Sequence, residues 1–205
     1  MNIQLPLFIV FEGIDGSGKS TLCDMLYGRC LSRGVGCVLL REPTDGVWGR
    51  KIREILSGPE TPDPEEQVRL FIMDREDDVR RNILPAMAEK RLIIMDRYYY
   101  SNAAYQGAMG IDSKRVLNEN IRRGFPAPDR VYFIDVAPGE AIARIQRRNG
   151  AGTPDIFEKK AFLESVRGAY LALADERFVF IDGARTPGES ITTIMKDIED
   201  VFGAR

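Results

Sequence analysis

The sequence contains no histidine among its 205 residues. This absence excludes a Ser-His-Asp triad, and it excludes any general base or metal site that depends on imidazole. The chain also lacks a strong charge imbalance, since its formal net charge is -2. We therefore expect no nucleic-acid polymer and no membrane surface as a partner. The apolar runs are only a few residues long, far short of a membrane-spanning helix.

Cysteine is scarce, and its spacing is uninformative. Cys23, Cys30 and Cys37 follow one another at intervals of seven residues, which suits neither zinc ligands nor a redox pair. The odd number argues against a disulfide framework, so we expect three free, partly buried thiols. The opening stretch MNIQLPLFIVFEG has no basic region before its apolar run. We therefore expect no signal peptide and a cytoplasmic location.

What the chain does contain is a regular alternation of short apolar runs with longer amphipathic segments. Strands are predicted at Leu7–Glu12, Cys37–Arg41, Leu92–Asp96, Val131–Val136 and Phe178–Ile181. Helices are predicted at Lys19–Arg33, Trp48–Leu56, Pro64–Glu89, Tyr99–Ala108, Ser113–Arg122, Gly139–Arg148, Glu158–Ala174 and Pro187–Phe202. This order predicts a three-layer α/β fold with a five-stranded parallel sheet between helices. We expect one domain over residues 1–205, with a short flexible lid at about 147–157 in the Gly/Pro-rich stretch RRNGAGTPD.

Ligands of such sheets bind outside the carboxyl ends of the strands. There the stretch LFIVFEGIDGSGKST contains the pattern G-x-x-x-x-G-K-S from Gly13 to Ser20. It follows a strand and opens a helix, which is the context a phosphate-binding loop requires. Glycines let backbone N–H groups approach phosphate oxygens, Lys19 would bridge the β- and γ-phosphates, and Ser20 would bind Mg²⁺. The alternative is a glycine-rich turn with a surface lysine.

The long predicted helix carries a charge within an apolar stripe. At about 100° per residue, one face is shared by Val68, Phe71, Ile72, Val79 and Ile83. Arg75 lies in the middle of this face, one turn after Phe71. A ring beside a guanidinium could stack on a nucleobase and donate hydrogen bonds to it. The alternative is a buried ion pair beside a core phenylalanine, which this segment alone favours.

Taken in order, the motifs FEGIDGSGKST, REPT, LFIMDR, DRYYYSNAAYQG and DIFEKKAFLESVRGAYLALA resemble the thymidylate kinase family of phosphate-loop nucleoside monophosphate kinases. The resemblance covers about residues 7–175. It implies ATP- and Mg²⁺-dependent phosphorylation of dTMP to dTDP by a homodimer. Such a reaction needs no general base, because the nucleophile is an ionised phosphate oxygen. Alternatives are a related kinase for another nucleoside monophosphate or a deoxynucleoside, and a non-catalytic nucleotide-binding protein.

The resemblance also implies roles for individual residues. Phe71 would stack on thymine, Arg75 would donate to a base carbonyl, and Asn102 and Gln106 would reach the polar edge of the base. Tyr105 would pack under the sugar. The acceptor phosphate would be held by Arg97 and Arg53, and Asp15 would lie near the 3′-OH and the metal. Glu42 and Asp96 would join Ser20 near the metal. ATP would be held by Gly13, Ile14, Asp15, Gly16, Ser17, Gly18, Lys19, Ser20, Thr21 and Arg144.

Two departures from the family pattern leave details open. The phosphate loop has no internal arginine, so the resemblance implies a lid arginine at the transferred phosphate, either Arg148, which we favour slightly, or Arg147. The pattern D-R-x-E after the lid reads Asp155-Ile156-Phe157-Glu158, without the arginine. A solvated basic helix end is the alternative for both lid arginines. In addition, REPT-DG lacks the paired glycines often found after REP, which changes the loop near the acceptor phosphate.

Overall fold

A computed structural model of the chain describes residues 3–58, 63–149 and 156–203. The strands are β1 (Leu7–Glu12), β2 (Cys37–Arg41), β3 (Leu92–Asp96), β4 (Arg130–Asp135) and β5 (Phe178–Asp182). The α-helices are α1 (Lys19–Ser32), α2 (Val47–Ser57), α3 (Pro64–Asp78), α4 (Leu84–Ala88), α5 (Tyr99–Ala108), α6 (Ser113–Arg122), α7 (Pro138–Asn149), α8 (Ile156–Leu173) and α9 (Pro187–Phe202). A π-helical turn, Val79–Ile83, joins α3 to α4.

The five strands form one parallel sheet in the order β2-β3-β1-β4-β5. Central strands β1 and β3 are apolar except at their last residues and are fully buried, as expected for a sheet covered by helices on both faces. The predicted fold class is therefore confirmed. The carboxyl ends of β1, β2 and β3 meet at one edge, which brings Glu12, Arg41 and Asp96 into one region.

The helix predicted over Pro64–Glu89 needs a correction. The chain is α-helical to Asp78, passes through the π turn and resumes as a short α-helix that ends at Ala88. Pro85 lies in the first turn of α4, where its missing N–H breaks the regular hydrogen-bond ladder, and the wider π turn directly before it accommodates the break. The sequence pattern cannot reveal this change, because the apolar stripe continues through it.

The predicted lid also starts and ends within helices. α7 continues to Asn149 and α8 begins at Ile156, so residues 147–149 and 156–157 are helical. Residues 150–155 lie outside the described part of the chain. The other predicted elements either match the observed bounds or differ from them by one or two residues at their ends. Among the described helices, none combines the length and the hydropathy that a membrane span requires.

Candidate active site

The loop between β1 and α1 wraps tightly because glycine occupies its strained positions. Gly13, Gly16 and Gly18 have φ angles of 144°, 83° and 99°. A side chain at Gly13 would come within 2.7 Å of the Ile134 carbonyl oxygen, and one at Gly16 would overlap the Ala141 carbonyl oxygen. The loop therefore needs glycine both for its conformation and for its close packing on β4 and α7.

Lys19 lies across this loop. Its ammonium group donates to the carbonyl oxygens of Gly13 and Ile14 at 3.0 and 2.9 Å and to the Ser17 hydroxyl at 3.4 Å. Burial lowers the pKa of Lys19 to about 8, and the nearby Arg97 adds to this effect. The Ile14 side chain is buried in the core, so Ile14 contributes only backbone to the loop. An anionic ligand bound at the loop would stabilise the charged form of this buried ammonium group.

Arg97 connects the loop to α5. It has a left-handed backbone conformation, with φ 73°, and its guanidinium donates to Asp15 at 2.6 Å and to Ser101 at 3.0 Å. It also donates to the Gly13 carbonyl at 3.2 Å and lies 5.1 Å from the centre of the Tyr105 ring. Because a non-glycine residue rarely adopts this conformation, the strain indicates a position imposed by the surrounding contacts. Although burial raises it, Arg97 and Lys19 hold the pKa of Asp15 below its usual range.

A cavity of about 610 Å³ opens directly above the loop. We call it the phosphate-loop cavity. It is lined by Asp15, Gly16, Gly18, Lys19, Ser20, Thr21, Arg41, Glu42, Pro43, Asp96, Arg97, Arg144, Ile145, Arg148 and Lys159. At its floor the Ser20 hydroxyl donates to Asp96 at 2.6 Å. The basic residues around it make it suited to an anion with several charges.

A second cavity, of about 310 Å³, adjoins the first. We call it the amide cavity. It is lined by Asp15, Pro43, Leu56, Gln67, Phe71, Arg97, Ser101, Asn102, Tyr105, Gln106, Met109 and Phe162. Apolar surface predominates, and the hydrogen-bonding groups include three side-chain amides. Asp15, Pro43 and Arg97 line both cavities, so a ligand in one can touch a ligand in the other.

The amides of this cavity are connected to one another. Asn102 donates to the carbonyl oxygen of Gln106 at 2.8 Å, and Gln106 donates to that of Gln67 at 3.1 Å. All three side chains are buried. The Asn102 carbonyl oxygen is buried without a hydrogen-bond partner among the described residues. A buried acceptor of this kind needs a donor, and in this position a ligand can supply it.

Arg75 does not line either cavity. It is fully buried, pairs with Glu42, donates to Asn120 at 2.6 Å and lies 5.1 Å from the centre of the Tyr98 ring. These contacts match the buried ion pair that the sequence left open as the alternative. Burial raises the pKa of the Glu42 carboxyl, while the guanidinium of Arg75 opposes the rise. Glu42 reaches the phosphate-loop cavity, and Arg75 lies behind it.

Residues 42–46 form a loop beside the two cavities, in which Glu42 lines the phosphate-loop cavity and Pro43 lines both, and we call them the wall loop. Asp74 of α3 accepts from the backbone nitrogen of Thr44 at 2.7 Å and from its hydroxyl at 2.5 Å. Arg53 of α2 donates to the Pro43 carbonyl at 2.8 Å and to Asp45 at 2.9 Å. Arg53 thus anchors this loop and is not brought into either cavity. It lines a cavity of about 750 Å³ on the other side, which contains no residue of the phosphate loop.

A further cavity, of about 400 Å³, lies between the phosphate loop and the start of α9. Arg144 lines both this cavity and the phosphate-loop cavity, and it donates to the Gly183 carbonyl at 2.8 Å. Arg147 lines only this cavity and pairs with Glu140 at 2.9 Å. Arg148 lines the phosphate-loop cavity instead. The structure therefore places the two lid arginines at different cavities, whereas the sequence favoured Arg148 only slightly.

The comparisons with known proteins agree with this geometry. The family model described as thymidylate kinase matches residues 11–194. A thymidylate kinase of Leptospira borgpetersenii serovar Hardjo-bovis is 37% identical over 93% of this chain and 92% of its own length. A probable thymidylate kinase of Archaeoglobus fulgidus is 40% identical over 97% of this chain and 98% of its own length.

The chain belongs to the thymidylate kinase family. The family motifs meet at the cavities described above, although they are spread over the chain from Gly13 to α8. Residues on α3 and α5 that were predicted for the acceptor base, Phe71, Asn102 and Gln106, line one cavity together with Tyr105. The phosphate-loop residues line the neighbouring cavity.

The structure adds residues to this family site that the sequence reasoning missed. Gln67 lies one turn before Phe71 and shares its face, so the stripe argument could have found it. The cavity beside Arg144 is also lined by Gly183, Arg185 and Pro187, which belong to none of the sequence motifs.

Glu12, at the end of β1, is the other missed residue. Its buried carboxylate accepts from the backbone nitrogens of Tyr98 and Ser101 at 2.9 and 3.1 Å, and from the Ser101 and Tyr170 hydroxyls at 2.6 and 2.9 Å. Burial raises the pKa of Glu12. This carboxylate caps backbone N–H groups at the start of α5 and so fixes Arg97 and α5 relative to the phosphate loop. The sequence did offer a signal for this residue, namely an acidic side chain at the end of an apolar strand.

Proposed function

We propose that this protein transfers the γ-phosphate of ATP to dTMP and so produces dTDP and ADP. The observation that carries this proposal is the pair of adjoining cavities. One is a basic cavity over a phosphate loop, the other is apolar with buried amides, and they share Asp15, Pro43 and Arg97. This arrangement brings a triphosphate and a nucleoside monophosphate together at their phosphate ends. Membership in the thymidylate kinase family supports thymidine as the nucleoside.

The base of dTMP would occupy the amide cavity. Phe71 offers a ring for stacking, and the partnerless carbonyl oxygen of Asn102 suits the N3–H of thymine. Gln106 would also reach the polar edge of the base. The proposed contact of Arg75 with a base carbonyl would use its Nε atom, which has no hydrogen-bond partner among the described residues. Because Arg75 lines neither cavity in this structure, this contact would require it to move towards the amide cavity.

The sugar and the phosphate of dTMP would lie towards the shared wall. Tyr105 would pack under the deoxyribose, and Asp15 would approach its 3′-OH, since both line the amide cavity. Arg97 would hold the acceptor phosphate between the two cavities. Arg53 would support the same phosphate through the backbone of Pro43, to which it already donates at 2.8 Å.

ATP would extend from the phosphate-loop cavity to the cavity beside α9. Backbone N–H groups from Gly13 to Thr21 would surround the β-phosphate, and Lys19 would move from the loop carbonyls to the phosphates. Arg144 would lie against the adenine, because it lines both cavities. Arg148 is our choice for the transferred phosphate, since it lines the phosphate-loop cavity while Arg147 does not.

The residues at the floor of this cavity fit a magnesium ion carried by the nucleotide. Ser20, Asp96 and Glu42 line it, with the Ser20 hydroxyl and Asp96 in direct contact. The described residues contain no cluster of three or more acidic or cysteine side chains that could hold a metal by themselves. A nucleotide-bound Mg²⁺ takes most of its ligands from phosphate and water, so a small oxygen donor set is adequate. When bound, Mg²⁺ neutralises charge on the transferring phosphate.

No proton acceptor is required in the reaction. An oxygen of the dTMP phosphate, already ionised at neutral pH, forms the new bond to the γ-phosphorus, and the bond from this phosphorus to the bridging oxygen of ADP breaks. Lys19, Arg97 and Arg148 would hold the reacting groups in line and stabilise the negative charge on them. A chain without histidine can therefore perform this chemistry.

A coupled assay of ADP release tests the proposal. We expect turnover with ATP and dTMP, weaker turnover with dUMP, and little with dCMP, AMP or thymidine. Phosphorylation of thymidine but not dTMP would overturn the assignment in favour of a nucleoside kinase. No turnover with any acceptor would instead support a nucleotide-binding protein without activity.

A homodimer and a cytoplasmic location complete the proposal. Met73 of α3 and Ile121 of α6 are exposed apolar residues on neighbouring helices, which Glu76 and Arg123 connect at 3.9 Å. Such a face is a candidate dimer surface. The three cysteines are buried free thiols, as in proteins of a reducing compartment. Sedimentation would test the dimer, with Ile121→Asp as the variant expected to dissociate it.

A further inference from the structure

The three amides of the amide cavity form a chain with one direction. The carbonyl oxygen of Gln67 accepts from the Gln106 amide nitrogen at 3.1 Å, and the carbonyl oxygen of Gln106 accepts from the Asn102 amide nitrogen at 2.8 Å. Gln67 belongs to α3, whereas Asn102 and Gln106 lie one turn apart on α5. Each link uses one donor and one acceptor, so the orientation of one amide determines that of the next.

The direction of this chain fixes which atom of Asn102 remains available. Its nitrogen is engaged by Gln106, and its carbonyl oxygen is buried without a partner among the described residues. If Gln106 were turned over, its nitrogen would face Asn102, and Asn102 would then expose its nitrogen. Gln67 opposes this reversal by presenting an oxygen to the nitrogen of Gln106.

We propose that Gln67 is a positioning residue that sets the specificity of the acceptor site for pyrimidines carrying a hydrogen at N3. Thymine and uracil have an N–H at this position and can donate to the Asn102 oxygen. Neutral cytosine has a lone pair there, so two acceptors would face each other in a buried site. The inference rests on the proposed function, since it assumes that the base occupies the amide cavity.

Gln67 is suited to this role by its burial and its location. It is only 2% exposed and lies one turn before Phe71, on the face of α3 that lines the cavity. Gln67 would act on the base only through Gln106 and Asn102. Replacing it should therefore change the preference between bases, and should not weaken the binding of all bases equally. The 5-methyl group of thymine is not read by an amide, and discrimination between dTMP and dUMP should therefore be independent of Gln67.

The test compares Gln67→Met, which removes the acceptor at similar size, with Gln67→Glu, which keeps an acceptor oxygen. Calorimetric titration of dTMP, dUMP and dCMP measures binding, and steady-state kinetics with ATP measures kcat/KM for the same three acceptors. In Gln67→Met we expect the preference for dTMP over dCMP to fall about tenfold, equivalent to the loss of one hydrogen bond. The ratio of dTMP to dUMP should stay constant, and Gln67→Glu should retain the preference against dCMP.

Three results would overturn the proposal. These are an unchanged preference against dCMP in Gln67→Met, an equal change for all three nucleotides, and the same loss in Gln67→Glu. Thermal unfolding of each variant shows whether it is folded, and Gln67→Leu replaces Gln67→Met if the latter is not. Failure of the proposed function has a different signature, because wild-type protein would then bind dTMP without turnover or not bind it at all.

Discussion

The phosphate-loop cavity and the amide cavity adjoin each other but are built in different ways. In the first, six of the fifteen lining residues come from one continuous segment, Asp15 to Thr21, and charged side chains supply most of the others. The second combines residues of α2, α3, α5 and α8 with the wall loop, and its polar groups include three side-chain amides. We therefore expect the phosphate-loop cavity to recognise charge, which every triphosphate carries, and the amide cavity to recognise the pattern of donors and acceptors on a base.

This difference predicts a separation of kinetic effects. Changes at the phosphate-loop cavity should act on phosphoryl transfer and on ATP, and changes at the amide cavity should act on the acceptor. The wall loop lies between the two, because Pro43 lines both cavities and Glu42 reaches the first. Experiments on each part can confirm or contradict this separation.

The largest effect is expected for Lys19→Ala. Lys19 would stabilise charge that develops on the transferring phosphate, so kcat should fall by about a thousandfold. The KM for dTMP should change less than threefold, since Lys19 does not line the amide cavity. Steady-state kinetics with both substrates measures these values, and Lys19→Arg serves as the control that keeps the charge. Equal losses on both substrates would contradict the separation.

The second prediction concerns stability. In Arg75→Met the buried Glu42 loses its charged partner, and we expect the free energy of unfolding to fall by about 3 kcal/mol. Combining this change with Glu42→Gln should restore part of the loss, because no acid is then left without a partner. Urea denaturation measures both variants. A variant as stable as wild type with a strongly raised KM for dTMP would instead assign Arg75 to the base.

The third prediction uses the pKa of Lys19, which burial lowers to about 8. The protonated amine binds phosphate, so this contribution is complete below pH 8 and is lost as the pH rises through 8. We expect kcat/KM for ATP to fall about tenfold per pH unit above this value, because kcat/KM reports ionisation of the free enzyme. Bound ATP should raise the pKa of Lys19. At saturating ATP, kcat/KM for dTMP should therefore show no such decline near pH 8, and a shared decline would contradict the assignment.

The two cavities also differ in how far the sequence predicts them. The phosphate loop can be predicted from the sequence because its functional residues are neighbours in the chain. The spacing of its glycines also indicates the backbone conformation directly. In the amide cavity, the apolar stripe raised Phe71 as a ring that could stack on a base, whereas Asn102, Tyr105 and Gln106 were predicted only through the resemblance to a family. Their connection through Gln67 was not predicted, because it links α3 to α5 across 39 positions.

The partners of buried charged side chains were harder to predict than the positions of those side chains. The apolar stripe correctly indicated that Arg75 faces inward, but it could not say whether Glu42 or a base would be its partner. That choice depends on where the wall loop lies after folding. Glu12 illustrates the same limit, since its partners Tyr98, Ser101 and Tyr170 become neighbours only when α5 and α8 pack on the sheet.

The smallest effect is expected at Thr44 of the wall loop. Its hydroxyl donates to Asp74 at 2.5 Å and accepts from the Gly46 nitrogen at 3.0 Å. Thr44→Val keeps the shape but removes both bonds, a loss of about 1 kcal/mol. Because Pro43 of this loop lines the cavity proposed for the acceptor, the KM for dTMP should rise roughly fivefold, with kcat and the KM for ATP within twofold of wild type. Thr44→Ser retains the hydroxyl and should behave as wild type. If both variants raised the KM equally, packing of the methyl group, and not the bond to Asp74, would hold the wall between the cavities.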